Sequence, residues 1–169
     1  MSSTTAEIVR GAGALVPVVR DAMTRVHPSA PVAVLAPWIP PLAPLAELTD
    51  DRLSTDVGDP LDAVLTDVQA VLGGLGRLVF VLPHVPLMAA AGGTAASAVA
   101  NGVLSMARTL SIELARDAVT VNVVAVDAAA PAVEALAAQL GVLAGPGGDA
   151  VTGQEIYLTA GTDLGRLRP

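Results

Sequence analysis

Three short runs of this chain, 32–35, 78–82 and 156–158, are apolar at every position, and a fourth, 119–126, is interrupted only by Thr120 and Asn122. A strand with one wet face alternates apolar and polar residues, so an unbroken run belongs to a strand covered on both sides. Between the runs, apolar residues recur at helical spacing. Leu61, Val64, Leu65, Val68 and Leu72 form one stripe, and Val99, Val103, Met106, Leu110 and Leu114 form another. Buried strands alternating with amphipathic helices make a parallel sheet between helical layers, the α/β class.

The stretches between the runs set the expected boundaries. Residues 1–5 read as a disordered polar leader and 6–169 as a single domain. Ile8, Leu15, Val18, Val19, Ala22 and Met23 predict a helix over 6–26, kinked or restarted at Pro17. Within it, Gly11 and Gly13 read as small helix residues, and His27 as a helix-end residue. A second helix is expected over 47–73, broken at Gly58 and Pro60 and ended by Gly73 and Gly74. A third spans 94–116 with Thr94 as its cap, and a short fourth covers 131–140. Three helices then cover one face and one the other. The strand at 32–35 is left at an edge, blunted by Pro31 and Pro37. Such a sheet must bury its thinly covered face in an oligomer, or residues 1–30 must fold over it.

Composition removes several functions. The net charge is −7, and all nine basic residues are arginine. Without a basic patch, nucleic-acid binding lacks its main source of affinity; without lysine, no mechanism can use an ε-ammonium. Hydrophobic residues make up 53% of the chain, and mean hydropathy is +0.63. The apolar runs nevertheless stop well short of the roughly 20 residues of a membrane span. No signal peptide is read, and the cytoplasm is the expected location. There are no cysteines and two histidines, so neither a disulfide framework nor a zinc site is expected.

Four segments, in order, carry a resemblance. They are the strand at 32–35 with the turn that follows it, the Leu-Thr-Asp-Asp at 48–51 leading to Leu61, the Arg-Thr-Leu-Ser-Ile-Glu-Leu-Ala at 108–115 with Val-Asn-Val-Val-Ala at 121–125, and the Val-Thr-Gly-Gln at 151–154. Together they resemble the second half of short-chain dehydrogenases/reductases, and in particular 3-oxoacyl-carrier-protein reductases. The resemblance implies an incomplete Rossmann-like three-layer fold. Its mostly parallel sheet would have about four strands and lack the N-terminal dinucleotide-binding half. It also implies where the chemistry should be. The family's proton-donating tyrosine falls on Ala96, the lysine that lowers its pKa on Ala100, the carbonyl-polarising serine near Pro83, and a structural asparagine on Pro60. None of these residues can fill those roles, so no catalytic residue and no cofactor is assigned.

The resemblance therefore implies a catalytically inactive homologue, a structural or regulatory subunit. It would pair with itself or with an active ketoreductase through the helices that in the family pack against their copies. The candidate surface is Leu61, Leu65, Val68, Ala95, Ala98, Gly102, Ser105 and Met106; the same small residues can instead pack on the chain's own sheet. A rival reading is a divergent reductase or ligand-binding protein that reuses the cleft through His84, Asp127 or Arg108. A hydrolase-like set of Ser97, His84 and Asp127 has the residue types but no nucleophile-elbow motif. Trp38 is a core cap or an interface anchor, and Tyr157 a core residue.

Overall fold

The computed structural model describes residues 7–161. Five strands form one parallel sheet in sequence order: β1 (Glu7–Arg10), β2 (Val32–Leu35), β3 (Arg77–Pro83), β4 (Thr120–Val126) and β5 (Glu155–Leu158). The α/β architecture is as expected, with one strand more than the sequence suggested. The helices are α1 (Val16–Met23), α2 (Asp50–Leu53), α3 (Asp59–Val71), α4 (His84–Leu87), α5 (Thr94–Glu113) and α6 (Val133–Ala144). The expected leader lies outside the described residues.

Residues 7–26 correct the sequence reading most. Residues 7–10 are a strand, Gly11 to Gly13 form a tight turn, and only Val16–Met23 is helical. Ile8 and Val9, flanked by Glu7 and Arg10, match helical spacing as well as they match a four-residue strand. β1 pairs with β2, so β1 is the edge and Val32–Leu35 lies inside the sheet. The bounds of α6 also differ, beginning and ending later than the expected 131–140. Gly93, not Thr94, is the N-cap of α5. The expected break near Gly58 and Pro60 is present: Ser54–Gly58 is a π turn joining α2 to α3, and the Thr49 side chain caps α2 by accepting from the Arg52 N–H.

Side-chain alternation along the strands builds two cores. Val32, Val34, Val79, Val81, Val124 and Val126 point to the face covered by α1 and α6. Ala33, Leu35, Leu78, Phe80, Leu82, Val121 and Val123 point to the face covered by α3 and α5. The faces thus carry two long helices each, not three and one. Of the segment expected to fold over the thin face, α1 does so: it lies there beside α6, and Val19 and Ala22 are fully buried.

This layering has a topological consequence. All four crossovers step in the same direction across the sheet, yet α1 and α6 pass over one face while α3 and α5 pass over the other. The two pairs therefore have opposite hands, and two of the four are left-handed, against a strong general preference for the right hand. The step from β1 to β2 through α1 belongs to one pair, and the step from β2 to β3 through α3 to the other. For these two consecutive units to share a hand with α1 where it is, the chain would have to leave β1 in the other direction.

Candidate functional site

Two clefts open where the strands end, on either side of Pro37. The first, of about 340 Å³, is walled by Leu15 from the turn after β1, Ile39 and Pro40 after β2, Pro83 at the end of β3 and His84 after it, and Asp127 after β4. The second, of about 380 Å³, lies between Arg10, Gly11, Trp38, Pro60 and Asp67. Its polar lining is closed on itself, because Arg10 Nε donates to Asp67 Oδ1 at 2.8 Å. Trp38 is thus half-exposed at a cleft rim and does not cap the core.

The positions singled out in the sequence fall in different places. Pro83 ends β3 in the wall of the first cleft, and Pro60 is buried at the start of α3 beside the second. Ala96 and Ala100 are 1% and 0% exposed, and neither lines either cleft. The short helix α4 packs across the beginning of α5, where Ser97 Oγ donates to the Pro86 carbonyl at 2.6 Å and Asn101 Nδ2 to the same oxygen at 3.3 Å. Where the resemblance expects a tyrosine and a lysine facing an opening, the chain has methyl groups inside its own packing.

His84 and Asp127 do share the first cleft. His84 is 4% exposed, and its Nδ1 lies 3.1 Å from the Val126 carbonyl oxygen. A carbonyl only accepts, so Nδ1 carries the proton of that bond. Asp127 Oδ1 accepts the Ala129 N–H at 2.9 Å. Ser97, committed to Pro86, lines neither cleft, so the hydrolase-like set does not assemble. Arg108 is also elsewhere, donating to Glu155 Oε2 at 3.0 Å across α5 and β5.

The turn at Gly11 to Gly13 is shaped by its neighbour and not by a phosphate. Gly11 has φ +115°, and a Cβ there would stand 2.2 Å from the Ala36 oxygen; at Gly13 it would stand 2.2 Å from the Pro37 oxygen. A dinucleotide turn uses glycine so that the backbone can approach a pyrophosphate, with free N–H groups of the next helix directed at it. Here both glycines approach residues 36 and 37. The Gly13 N–H bonds to Ala36 O at 3.0 Å, the Val16 N–H to Gly13 O at 3.1 Å, and Pro17 has no N–H to offer. The residues present do not fit a dinucleotide.

The motifs behind the resemblance have structural work instead. Buried Asn122 donates from Nδ2 to Val151 O at 2.8 Å, and its Oδ1 accepts the Gln154 N–H at 3.1 Å. Thr152 Oγ1 accepts the Val121 N–H at 3.1 Å, and the Gly153 N–H bonds to Val121 O at 2.7 Å. The Val-Asn and Val-Thr-Gly-Gln segments therefore clasp each other and hold β5 on β4. Next to them, the Tyr157 hydroxyl donates to Glu155 Oε1 at 2.6 Å. Burial first, and then that bond, push its pKa up to about 12.

The fold has counterparts among solved structures. A short-chain dehydrogenase from Bacillus anthracis matches with TM-score 0.66 and 18% identity over 80% of this chain and 66% of its own. The acetoin dehydrogenase of Salmonella typhimurium matches with TM-score 0.67 and 16% identity over 79% and 64%. An oxidoreductase of the short-chain dehydrogenase/reductase family from Burkholderia thailandensis matches with TM-score 0.67 and 24% identity over 88% and 70%. The fold is that of the short-chain dehydrogenases. The chain spans about two thirds of the length of these structures. No protein-family model and no curated protein matches it. No group of three or more metal-ligating side chains occurs among the described residues, and no described helix is long and apolar enough to cross a membrane.

Of the eight candidate interface residues, Val68 is 4% exposed in the chain's own core and is unavailable to a partner. Gly102 admits Leu61, whose Cδ2 would stand 3.0 Å from a Cβ there, so this small residue does serve packing within the chain. Leu65, Ala98 and Ser105 are exposed, and Leu61, Ala95, Gly102 and Met106 are half-buried. Leu72 and Ile112, which the sequence reading did not name for this surface, are exposed too. Ile112 follows Ala98 and Ser105 at spacings of fourteen and seven, a helical repeat that the neighbouring core stripe obscured.

Proposed function

We propose that this chain is a non-catalytic, short-chain-dehydrogenase-like subunit that pairs with itself or with an active reductase through the outer face of α3 and α5. The observation that carries this reading is the burial of Ala96 and Ala100. The two positions that would hold the proton donor and its lysine have neither the groups nor an opening to a substrate. The Gly11 to Gly13 turn supports it from the cofactor side.

Pairing is supported by what the outer face presents. Leu65 is 45% and Ile112 77% exposed, and Leu72, at the C-terminal end of α3, is also exposed. From Thr94 to Ala107 the helix α5 carries no charged residue. A solvated helix face ordinarily carries charges, and large exposed aliphatic residues aligned on one face mark contact surfaces. The partner's chemistry, reduction of a 3-oxoacyl thioester or polyketide, is inferred only from the relatives the sequence resembles. Co-expression with such a reductase is expected to yield a mixed complex with altered turnover; clean separation of the two chains on a sizing column, with the chain alone monomeric, refutes the reading.

A second reading, a ligand-binding protein or divergent enzyme, is favoured by one observation: His84 and Asp127 line the same cleft. Turnover lost on His84→Ala, or tight NADPH binding by calorimetry, would favour it over pairing alone.

A further inference from the structure

The first cleft has a chemistry of its own. Five of its fourteen lining residues are proline (Pro37, Pro40, Pro41, Pro83 and Pro86), and the remaining walls are aliphatic apart from His84 and Asp127. Proline fixes its own φ, so walls built this way lose little freedom when a ligand enters. The volume of about 340 Å³ falls in the range of small-molecule sites. The size and apolarity of the cleft exclude a nucleotide and favour a compact hydrocarbon body.

The polar groups select the other end of the ligand. Asp127 is the only carboxylate in the wall, oriented by the Ala129 N–H, and among the described residues no arginine lines the cleft or pairs with Asp127. An anionic head group would enter an apolar wall beside a like charge and gain no cation. A neutral hydrocarbon would cover Asp127 without partnering it. An ammonium offsets its own desolvation against Asp127, and the net charge of −7 draws cations toward the protein.

We propose that this cleft is a binding site for a compact apolar amine, held by its hydrocarbon body between the prolines and by its ammonium at Asp127. The inference gives the ligand-binding reading of the cleft a chemical class and requires no turnover. It does not depend on α3 and α5 pairing, since no residue of that face lines the cleft.

The test is displacement of the neutral fluorophore N-phenyl-1-naphthylamine from the intact chain by octylamine, octanol or octanoate. Saturable probe binding is expected, with octylamine displacing it at a concentration at least about tenfold below that of octanoate. Asp127→Asn should bring the two within about threefold while leaving probe affinity unchanged. Ala14→Trp and Ala128→Trp, both at exposed wall positions, should each abolish probe binding with melting behaviour unchanged. No saturable binding, binding that survives both tryptophans, or an amine preference that survives Asp127→Asn would each overturn the proposal. The oligomeric state, measured separately, reports on pairing alone.

Discussion

Gly13→Ala places a methyl group 2.2 Å from the Pro37 carbonyl oxygen and 2.8 Å from that of Ala36. Ordinary contacts to a Cβ begin near 3.4 Å, so the turn must retreat from residues 36 and 37 by about 1 Å, the scale of overpacking that costs about 1–3 kcal/mol. The retreat also stretches the 3.0 Å bond from the Gly13 N–H to Ala36 O, a further loss of about 1 kcal/mol. The sum is about 2–4 kcal/mol, or a melting point lowered by roughly 5–15 °C for a chain of this length. Gly141→Ala is the matched control. It lies within α6 with nothing within 4 Å of the new methyl, and the higher helix propensity of alanine should stabilise by about 0.5–1 kcal/mol. Urea unfolding followed by far-ultraviolet circular dichroism and by Trp38 fluorescence measures both. If Gly13→Ala stays within about 0.5 kcal/mol of wild type, the size expected of a neutral surface change, the turn is not seated on residues 36 and 37. The case against a phosphate site then loses its steric half.

Further outcomes follow from the same contacts. Tyr157 has a folded pKa of about 12 against an unfolded value of 10.0, so it contributes stability that is fully present below pH 10 and lost as pH rises toward 12; a stability–pH profile of Tyr157→Phe should lack that fall. Asn122→Ala removes two buried bonds and strands the Val151 carbonyl and the Gln154 N–H, with an expected cost of about 2–4 kcal/mol by denaturant titration. Restoring the family's lysine by Ala100→Lys buries a charge at a position that is fully closed; we expect a loss of about 3–5 kcal/mol and no gain of reductase activity in an NADPH assay.

The architecture was legible wherever one physical signal dominated. The apolar runs located β2, β3 and β4 because burial on both faces leaves little other composition, and the run at 156–158 located β5 although that edge strand is only half-buried. The long stripes located α3 and α5 for the matching reason, and the Val-Thr-Gly-Gln and Val-Asn segments that carried the resemblance are found holding each other. The first unit was not legible. β1 is a half-exposed edge strand of four residues, and Ile8 and Val9 fit two periodicities equally well. The packing of α1 over α6, and with it the two-and-two layering, depends on which face a crossover takes, which no local pattern encodes. At the site, the sequence placed His84 and Asp127 in one cleft, as the structure has them, but placed Arg108 there too. It could not show that Ser97 is held by Pro86, or that Ala96 and Ala100 are closed off.

The most direct test of the account is the native mass of the chain, alone and mixed with an active short-chain reductase, for wild type and for Leu65→Arg with Ile112→Arg. Both side chains are exposed and outside the two cores, so the variant should keep the wild-type circular dichroism. The account predicts a dimer or a mixed complex for wild type and a monomer for the variant. A wild-type chain that stays monomeric under both conditions, or a variant that assembles as wild type does, would contradict it.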